Sequence, residues 1–237
     1  MRKTFLILSL AVFCAPAFAL AAEFSPEEIE AARKDPQAFV LDRGSVRIIR
    51  VNGERAPEPP PNVPPVPPAP GPLPPSPLPP GGINPDIIVN IGKMIWEIIE
   101  ANRPVVDVKQ SYATAVPDGI THWTQLAGWS PPELTVYELS AKNLRGGNAV
   151  QVRFQVMRTA GGSFRGKGKY LTGVTIEPLM ISVSSGYKFY LEAAVPAESV
   201  ANRGSHDDPI AGMIATLKWK IKTAANETQG TRLYYLQ

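Results

Sequence analysis

Proline dominates one stretch of this chain and limits what that stretch can form. Fifteen of the 24 residues from 57 to 80 are proline, in runs such as Pro59-Pro60-Pro61. Proline fixes φ, lacks an amide donor and disfavours helical geometry in the residue before it. The segment therefore predicts a polyproline II rod, about 75 Å long when fully extended, rather than a helix or an inner strand. With Gly81-Gly82 it forms a proline-rich linker over residues 57–82, between a short arm and a longer domain.

The first 22 residues have the features of a secretory signal peptide. Arg2 and Lys3 precede an apolar stretch at 5–13, and residues 19–21 offer a small-x-small cleavage site. The apolar stretch is too short to span a bilayer comfortably, although an uncleaved anchor is the alternative. The sequence predicts bacterial export to the periplasm or cell envelope, with no transmembrane segment in the mature chain.

The chain has a single cysteine, Cys14, which lies in the predicted signal peptide. A lipoprotein is an alternative, but the bulky Phe13 before this cysteine disfavours lipidation. Loss of Cys14 leaves a mature chain without disulfides, thiolate zinc sites or a cysteine nucleophile. The fold must therefore rest on its hydrophobic core.

The net charge does not indicate a nucleic-acid partner. The formal charge is +3, and Arg2 and Lys3 supply two of these charges. Residues 82–237 carry 16 basic and 13 acidic side chains. An excess of this size is ordinary for a soluble domain and does not resemble a phosphate-binding footprint.

The arm over residues 23–56 contains a helix start. Ser25 is followed by Pro26 and by Glu28 at the third helical position, the pattern of a capping box. Two β-like stretches at 38–41 and 45–51 then predict a small hairpin. Because the arm is too short to hold a core alone, it is either a partly ordered terminus or a docking segment that orders on a partner.

Residues 83–237 predict a mostly β fold, an antiparallel β-sandwich-like domain with one N-terminal amphipathic helix. The helix is expected from residues 84–86 to Asn102, because isoleucines recur at three- and four-residue steps from Ile87 to Ile99. From residue 104 the pattern changes to period two, with turns every 8–12 residues and a predicted turn at 160–163. The predicted strands are 105–112, 134–143, 149–159, 164–171, 174–184, 187–195, 210–223 and 233–236.

The stretch from Phe164 to Tyr170 is a candidate binding site. Arg165, Lys167 and Lys169 alternate with glycine, which predicts three cations on one face of a strand. They would suit an anionic partner such as a polysaccharide. Alternatively, they are the solvated face of an edge strand whose lysines prevent edge-to-edge pairing.

Trp123 and Trp129 form a second candidate site in a segment bracketed by proline and glycine. Aromatic rings at that spacing can stack on sugars, although aromatic residues more often belong to a core or its rim.

Nothing in the sequence selects a catalytic or metal centre. His206-Asp207-Asp208 has the right side chains for a metal or a base, but adjacent residues of an extended loop rarely converge on one ion. Two carboxylate pairs, Glu133 with Glu138 and Glu177 with Glu192, are available for acid–base work, and no pattern favours either. We expect no cofactor, no metal and no enzymatic activity.

The layout of the chain favours a non-enzymatic interaction or structural protein of the cell envelope. Its arm and its β-domain would bind two points, one of them an envelope protein, across the stiff rod. The alternative is an envelope glycan-binding module for polysaccharide or peptidoglycan, using the tryptophans and the cations.

Overall fold

The molecule is built from two antiparallel β-sheets. The computed structural model describes residues 24–51, 82–91, 95–97 and 112–237. One sheet has six strands and the other has five. The prediction of a mostly β, antiparallel, sandwich-like fold is confirmed. The predicted signal peptide and the proline-rich run at 57–80 lie outside the described residues.

The helices are α1, Pro26–Lys34, and α2, Pro36–Phe39, and single 3₁₀ turns cover Trp123–Gln125 and Ala197–Ser199. The strands of the described ranges are β1 Leu41–Arg50, β2 Asn84–Asn90, β3 Ile95–Glu97, β4 Ala113–Asp118, β5 Glu133–Asn143, β6 Asn148–Phe164, β7 Lys167–Val183, β8 Lys188–Ala194, β9 Ala201–Asn202, β10 Ala211–Lys222 and β11 Glu227–Leu236. The six-stranded sheet has the order β1-β5-β6-β7-β4-β2, and the other has the path β11-β10-β8-β3, with β9 paired to β10. None of the helices in the described ranges has the length and apolar character that a membrane-crossing helix requires.

The core lies between the two sheets and follows from strand alternation. On β6 the buried residues are Val150, Val152, Phe154 and Val156, on the face that the alternation predicts, whereas the intervening side chains are partly exposed. The opposite sheet contributes fully buried Phe189, Met213 and Leu217, among others. Each such side chain stabilises the fold by roughly 1.5–3 kcal/mol through the apolar surface removed from water.

Helix α1 begins as the sequence predicts. The Ser25 N–H donates to Glu28 Oε2 at 2.8 Å, and the Glu28 N–H donates to Ser25 Oγ at 3.2 Å, which completes the capping box. The helix ends at Asp35, and α2 follows with Pro36 as its first residue.

The arm does not form the predicted hairpin. Its residues from Leu41 to Arg50 make one strand, β1, which pairs antiparallel with β5 and bulges between Asp42 and Arg47. Because so short an arm cannot bury its own apolar face, it is stabilised by joining the edge of the larger sheet. Leu41 is buried there in the common core.

The predicted amphipathic helix is also wrong where the structure describes it. Residues 84–90 form β2, which pairs with β4, and residues 95–97 form β3, which pairs with β8. Branched isoleucine side chains are restricted in a helix and fit well on a pleated sheet, so pairing with two different sheets overrode the helical spacing. Residues 92–94 and 98–102 of the predicted helix lie outside the described residues, as do residues 105–111 of the next predicted strand.

Candidate functional site

The hairpin between β6 and β7 carries the candidate cations, and its turn is two residues long. Phe164 pairs with Lys167, which leaves Arg165 and Gly166 at the turn with φ of 52° and 78°. Positive φ at both central residues is the geometry of a type I′ hairpin turn. The turn predicted at 160–163 is therefore wrong, and Arg165 projects from a turn rather than from the face of a strand.

Just behind the turn, the two strands of the hairpin stay paired, Gly162 with Tyr170, and each of them also bonds to a different loop. Ser163 and Ala127 exchange main-chain hydrogen bonds of 2.7 and 3.1 Å. On the β7 side, the Gly168 N–H donates to Asp208 Oδ1 at 3.2 Å, and the Lys169 N–H donates to the Pro209 carbonyl at 2.9 Å. The loops around residues 127 and 209 therefore lie on either side of the hairpin.

Trp129 is part of the structural support of this hairpin. A Cβ added to Gly162 would lie 2.3 Å from Cη2 of Trp129, so the indole occupies the space that the missing side chain leaves. The Trp129 Nε1–H donates to the main-chain oxygen of Trp123 at 3.3 Å, and its ring packs against the core. Trp129 therefore belongs to the rim of the core, the alternative that the sequence left open.

Trp123 differs from Trp129 in that it is not among the side chains packed against the core. It starts a 3₁₀ turn whose cap is His122: the Thr124 N–H donates to His122 Nδ1 at 3.3 Å. The two indoles meet edge to face with centroids 6.3 Å apart. The Trp123 side chain is half-buried.

The three candidate cations are all exposed. The Arg165 guanidinium lies over the Phe164 ring, 5.1 Å from its centroid. Lys167 and Lys169 flank the buried Gly168, and neither makes an ion pair within the described ranges. We call Trp123, Trp129, Arg165, Lys167 and Lys169 together the tip surface; the structure brings both tryptophans to the hairpin that bears the cations.

A cleft of about 350 Å³ opens beside the tip surface. Lys169 has the single charged side chain among the residues that line it in the described part of the chain. The other lining residues come from five separate segments: Ser130, Ala160, Gly161, Tyr170, Leu171, Ile210 and Gln237. Because the fold assembles them from such distant positions, no local sequence pattern could have identified this cleft.

The loop containing His206-Asp207-Asp208 has a structural role. Asn202 Oδ1 accepts from the Gly204 and Ile210 N–H groups at 2.9 and 3.0 Å, and Asp208 accepts from Gly168. Within the described residues, no group of three or more His, Cys, Asp or Glu side chains is arranged to hold a metal ion. Asp208 thus fastens this loop to β7 beside the hairpin.

Replacement of Asp208 by alanine is expected to lower the free energy of unfolding by about 1 kcal/mol, the usual worth of one such hydrogen bond. Urea denaturation of the full chain measures this value. Asp207→Ala is the matched control and should change stability by less than about 0.5 kcal/mol. A drop in melting temperature on addition of EDTA would contradict this structural role, since it would indicate a bound metal.

The four carboxylates considered for acid–base chemistry are spread over the sheets, and each has a structural partner. Glu133 pairs with Arg158 and Glu138 with Arg153, both at 2.8 Å. Glu177 accepts from Gln155 Nε2 at 2.9 Å, and Glu192 pairs with Lys218 at 3.0 Å. Each of these glutamates is therefore engaged in an ion pair or a hydrogen bond with a residue of a neighbouring strand.

A second set of alternating cations lies on β10, and the sequence analysis did not identify it as a candidate site. Lys218, Lys220 and Lys222 occupy every second position, a spacing visible in the sequence. Their ammonium groups lie 3.0 Å from Glu192 and 3.9 and 3.5 Å from Glu227, respectively. The acidic partners offset this charge, in contrast to the lysines of the tip surface.

No protein-family model, curated protein or solved structure matches this chain. Arguments about function therefore rest on the tip surface and the cleft beside it.

Proposed function

We propose that this chain is an exported, non-enzymatic binding module of the bacterial cell envelope, which holds an envelope glycan at its tip surface. The observation that carries the proposal is the half-buried indole of Trp123, which contacts Trp129 against the hairpin that bears three exposed cations and borders a cleft. Indole rings provide flat apolar surfaces with a polar edge, and cations attract acidic groups. Polysaccharide and peptidoglycan both offer sugar rings together with acidic substituents.

The proposal does not use the arm as a second binding point. Strand β1 is part of the same six-stranded sheet as β2, and these two strands form its opposite edges. The segment between residues 51 and 82 therefore starts and finishes on one sheet. A spacer that separates two bodies needs a separate body at each end, so the bridging interpretation loses its basis.

An envelope protein remains the second candidate ligand, and a different surface favours it. Leu233 and Tyr235 lie on β11, an edge strand of its sheet, and are 46% and 73% exposed. Edge strands with exposed apolar side chains are suited to pairing with another chain.

The glycan proposal is tested by retention of the full chain on insoluble cell-wall material. Trp123→Ser removes the indole of that residue but keeps the main-chain oxygen that accepts from Trp129. We expect retention to fall roughly tenfold, the effect of losing about 1.4 kcal/mol of aromatic contact. Tyr235→Ser is the matched control, because it removes an exposed aromatic ring from β11.

Two results would contradict the proposal: no retention of the unmodified chain, or equal loss in Trp123→Ser and Tyr235→Ser. Recovery of one envelope protein by the unmodified chain and by Trp123→Ser, but not by Tyr235→Ser, would support the second candidate instead.

A further inference from the structure

We propose that the cleft at Lys169 is a subsite for an acidic sugar residue, with the ammonium group of Lys169 binding the carboxylate. This inference rests on the proposed glycan-binding function and specifies its ligand class: a polysaccharide that contains uronic acids. Four features carry it, namely the size of the cleft, its charge, its polar lining and the fixed backbone of Lys169.

The size of the cleft suits a sugar. Its volume of about 350 Å³ lies at the lower end of the range for small-molecule sites, about 300–1,000 Å³. Ala160 and Gly161 have little or no side chain, and Gln237 brings an amide. The Ser130 hydroxyl donates to the Ala160 carbonyl at 2.9 Å and can accept from a ligand. Hydroxyl and amide groups are the usual partners of sugar hydroxyls.

The charge of the cleft favours an anion. Arg158 lies nearby, and its Nη1 donates to the main-chain oxygen of Gln237 at 2.6 Å. Its charge is offset by Glu133, whose Oε2 accepts from Nε and Nη2 at 3.1 and 2.8 Å. Lys169 lacks an acidic side-chain partner in the described part of the chain, so its ammonium group is available to a ligand of the cleft.

The backbone at Lys169 is held in place before any ligand binds. Its N–H donates to the Pro209 carbonyl, and the residue forms a parallel bridge with Ile210, which itself lines the cleft. The adjoining Gly168 is fixed by Asp208. A preorganised site loses less conformational entropy on binding, which favours a specific subsite over diffuse attraction.

The test compares two short oligogalacturonates of equal length, one acidic and one fully methyl-esterified, by calorimetry at physiological salt. Esterification removes the charge and keeps the sugar backbone. We expect the acidic oligomer to bind at least roughly tenfold more tightly, as one charge-assisted hydrogen bond implies. Lys169→Gln should remove that advantage.

Lys142→Gln is the matched control, because Lys142 is exposed and lies beside Asn148, at the opposite end of β6 from the hairpin. It should leave the affinity for the acidic oligomer unchanged. A loss as large in Lys142→Gln, or in Lys167→Gln, as in Lys169→Gln would overturn the subsite, since it would indicate diffuse electrostatic attraction.

The remaining outcomes separate the subsite from the proposed function. Equal binding of both oligomers, or no binding of either, overturns the acidic-sugar subsite. Retention on cell-wall material that still depends on Trp123 would then leave the glycan proposal standing. If retention also no longer depended on Trp123, both the subsite and the glycan proposal would be contradicted. Displacement of the acidic oligomer by equimolar inorganic phosphate would also overturn the sugar assignment, since any small anion would then suffice.

Discussion

Replacing Trp129 by alanine is expected to lower the free energy of unfolding by about 3 kcal/mol, at the lower end of the values for tryptophan removal from a core. The indole fills the space over Gly162, packs against the core and donates a hydrogen bond to the Trp123 carbonyl. Its loss would leave a cavity where the 127–130 segment meets β6. Urea denaturation of the full chain, followed by circular dichroism, gives the value.

Trp123→Ala is the control for this prediction. Trp123 is half-buried but has no comparable contact with the core, so we expect its removal to cost less than about 1 kcal/mol. Gly162→Ala should act in the same direction as Trp129→Ala, because its added Cβ would collide with the indole. Equal costs for the two tryptophan variants would contradict the structural role assigned to Trp129.

This difference between the two tryptophans determines which of them can report on binding. A variant that loosens the hairpin also disturbs Arg165, Lys167 and Lys169, so weaker binding by Trp129→Ala would not identify a contact with the ligand. Trp123→Ser removes the indole that meets Trp129 edge to face, but it does not alter Gly162 or the contact of Trp129 with it. The sequence presented both tryptophans as equivalent members of a pair, and the contact with Gly162 and the packing against the core distinguish Trp129.

The sequence predicted those elements whose stability depends on local rules. Helix α1 follows from the cap formed by Ser25, Pro26 and Glu28, all within four residues. Strand β6 is predicted from the strict alternation of apolar and polar side chains, because such a strand buries one face and exposes the other. The sandwich-like class follows from repetition of such strands between turns.

The Ile-rich segment shows where periodicity alone is insufficient. Isoleucines from Ile87 onward fit a helical stripe, yet residues 84–90 pair with β4 at the edge of one sheet. Residues 95–97 pair with β8 in the other sheet. The available edges of the two sheets, which are far away in sequence, decided between helix and strand.

The sequence predicts the hairpin turn at the wrong residues because the glycines of this stretch have several different roles. Gly161 and Gly162 look like a turn, but Gly162 accommodates the indole of Trp129 and the pairing shifts register on both sides of it. The turn instead uses Arg165, a residue rarely found at positive φ. A pairing partner for Ser163 in a distant loop could not be inferred from the hairpin's own sequence.

Removal of the arm is expected to have the largest effect on this fold. A chain that begins at Gly82 lacks β1 and the buried Phe24, Ala32 and Leu41. The two larger of these side chains alone correspond to roughly 4 kcal/mol of lost apolar burial. The edge of β5 would also lose its hydrogen-bonded partner. We expect the shortened chain to unfold at a clearly lower urea concentration than the full chain, or to aggregate through its uncovered edge.

The matched control keeps the arm and replaces residues 57–80 by a glycine-serine segment of equal length. If the arm acts through β1 and not through the proline-rich linker, this variant should retain its stability within about 1 kcal/mol, allowing for the greater entropy of its unfolded chain. A shortened chain as stable as the full chain would contradict the integral role of β1. The arm would then be free to act as a separate docking segment, and the bridging interpretation would regain its basis.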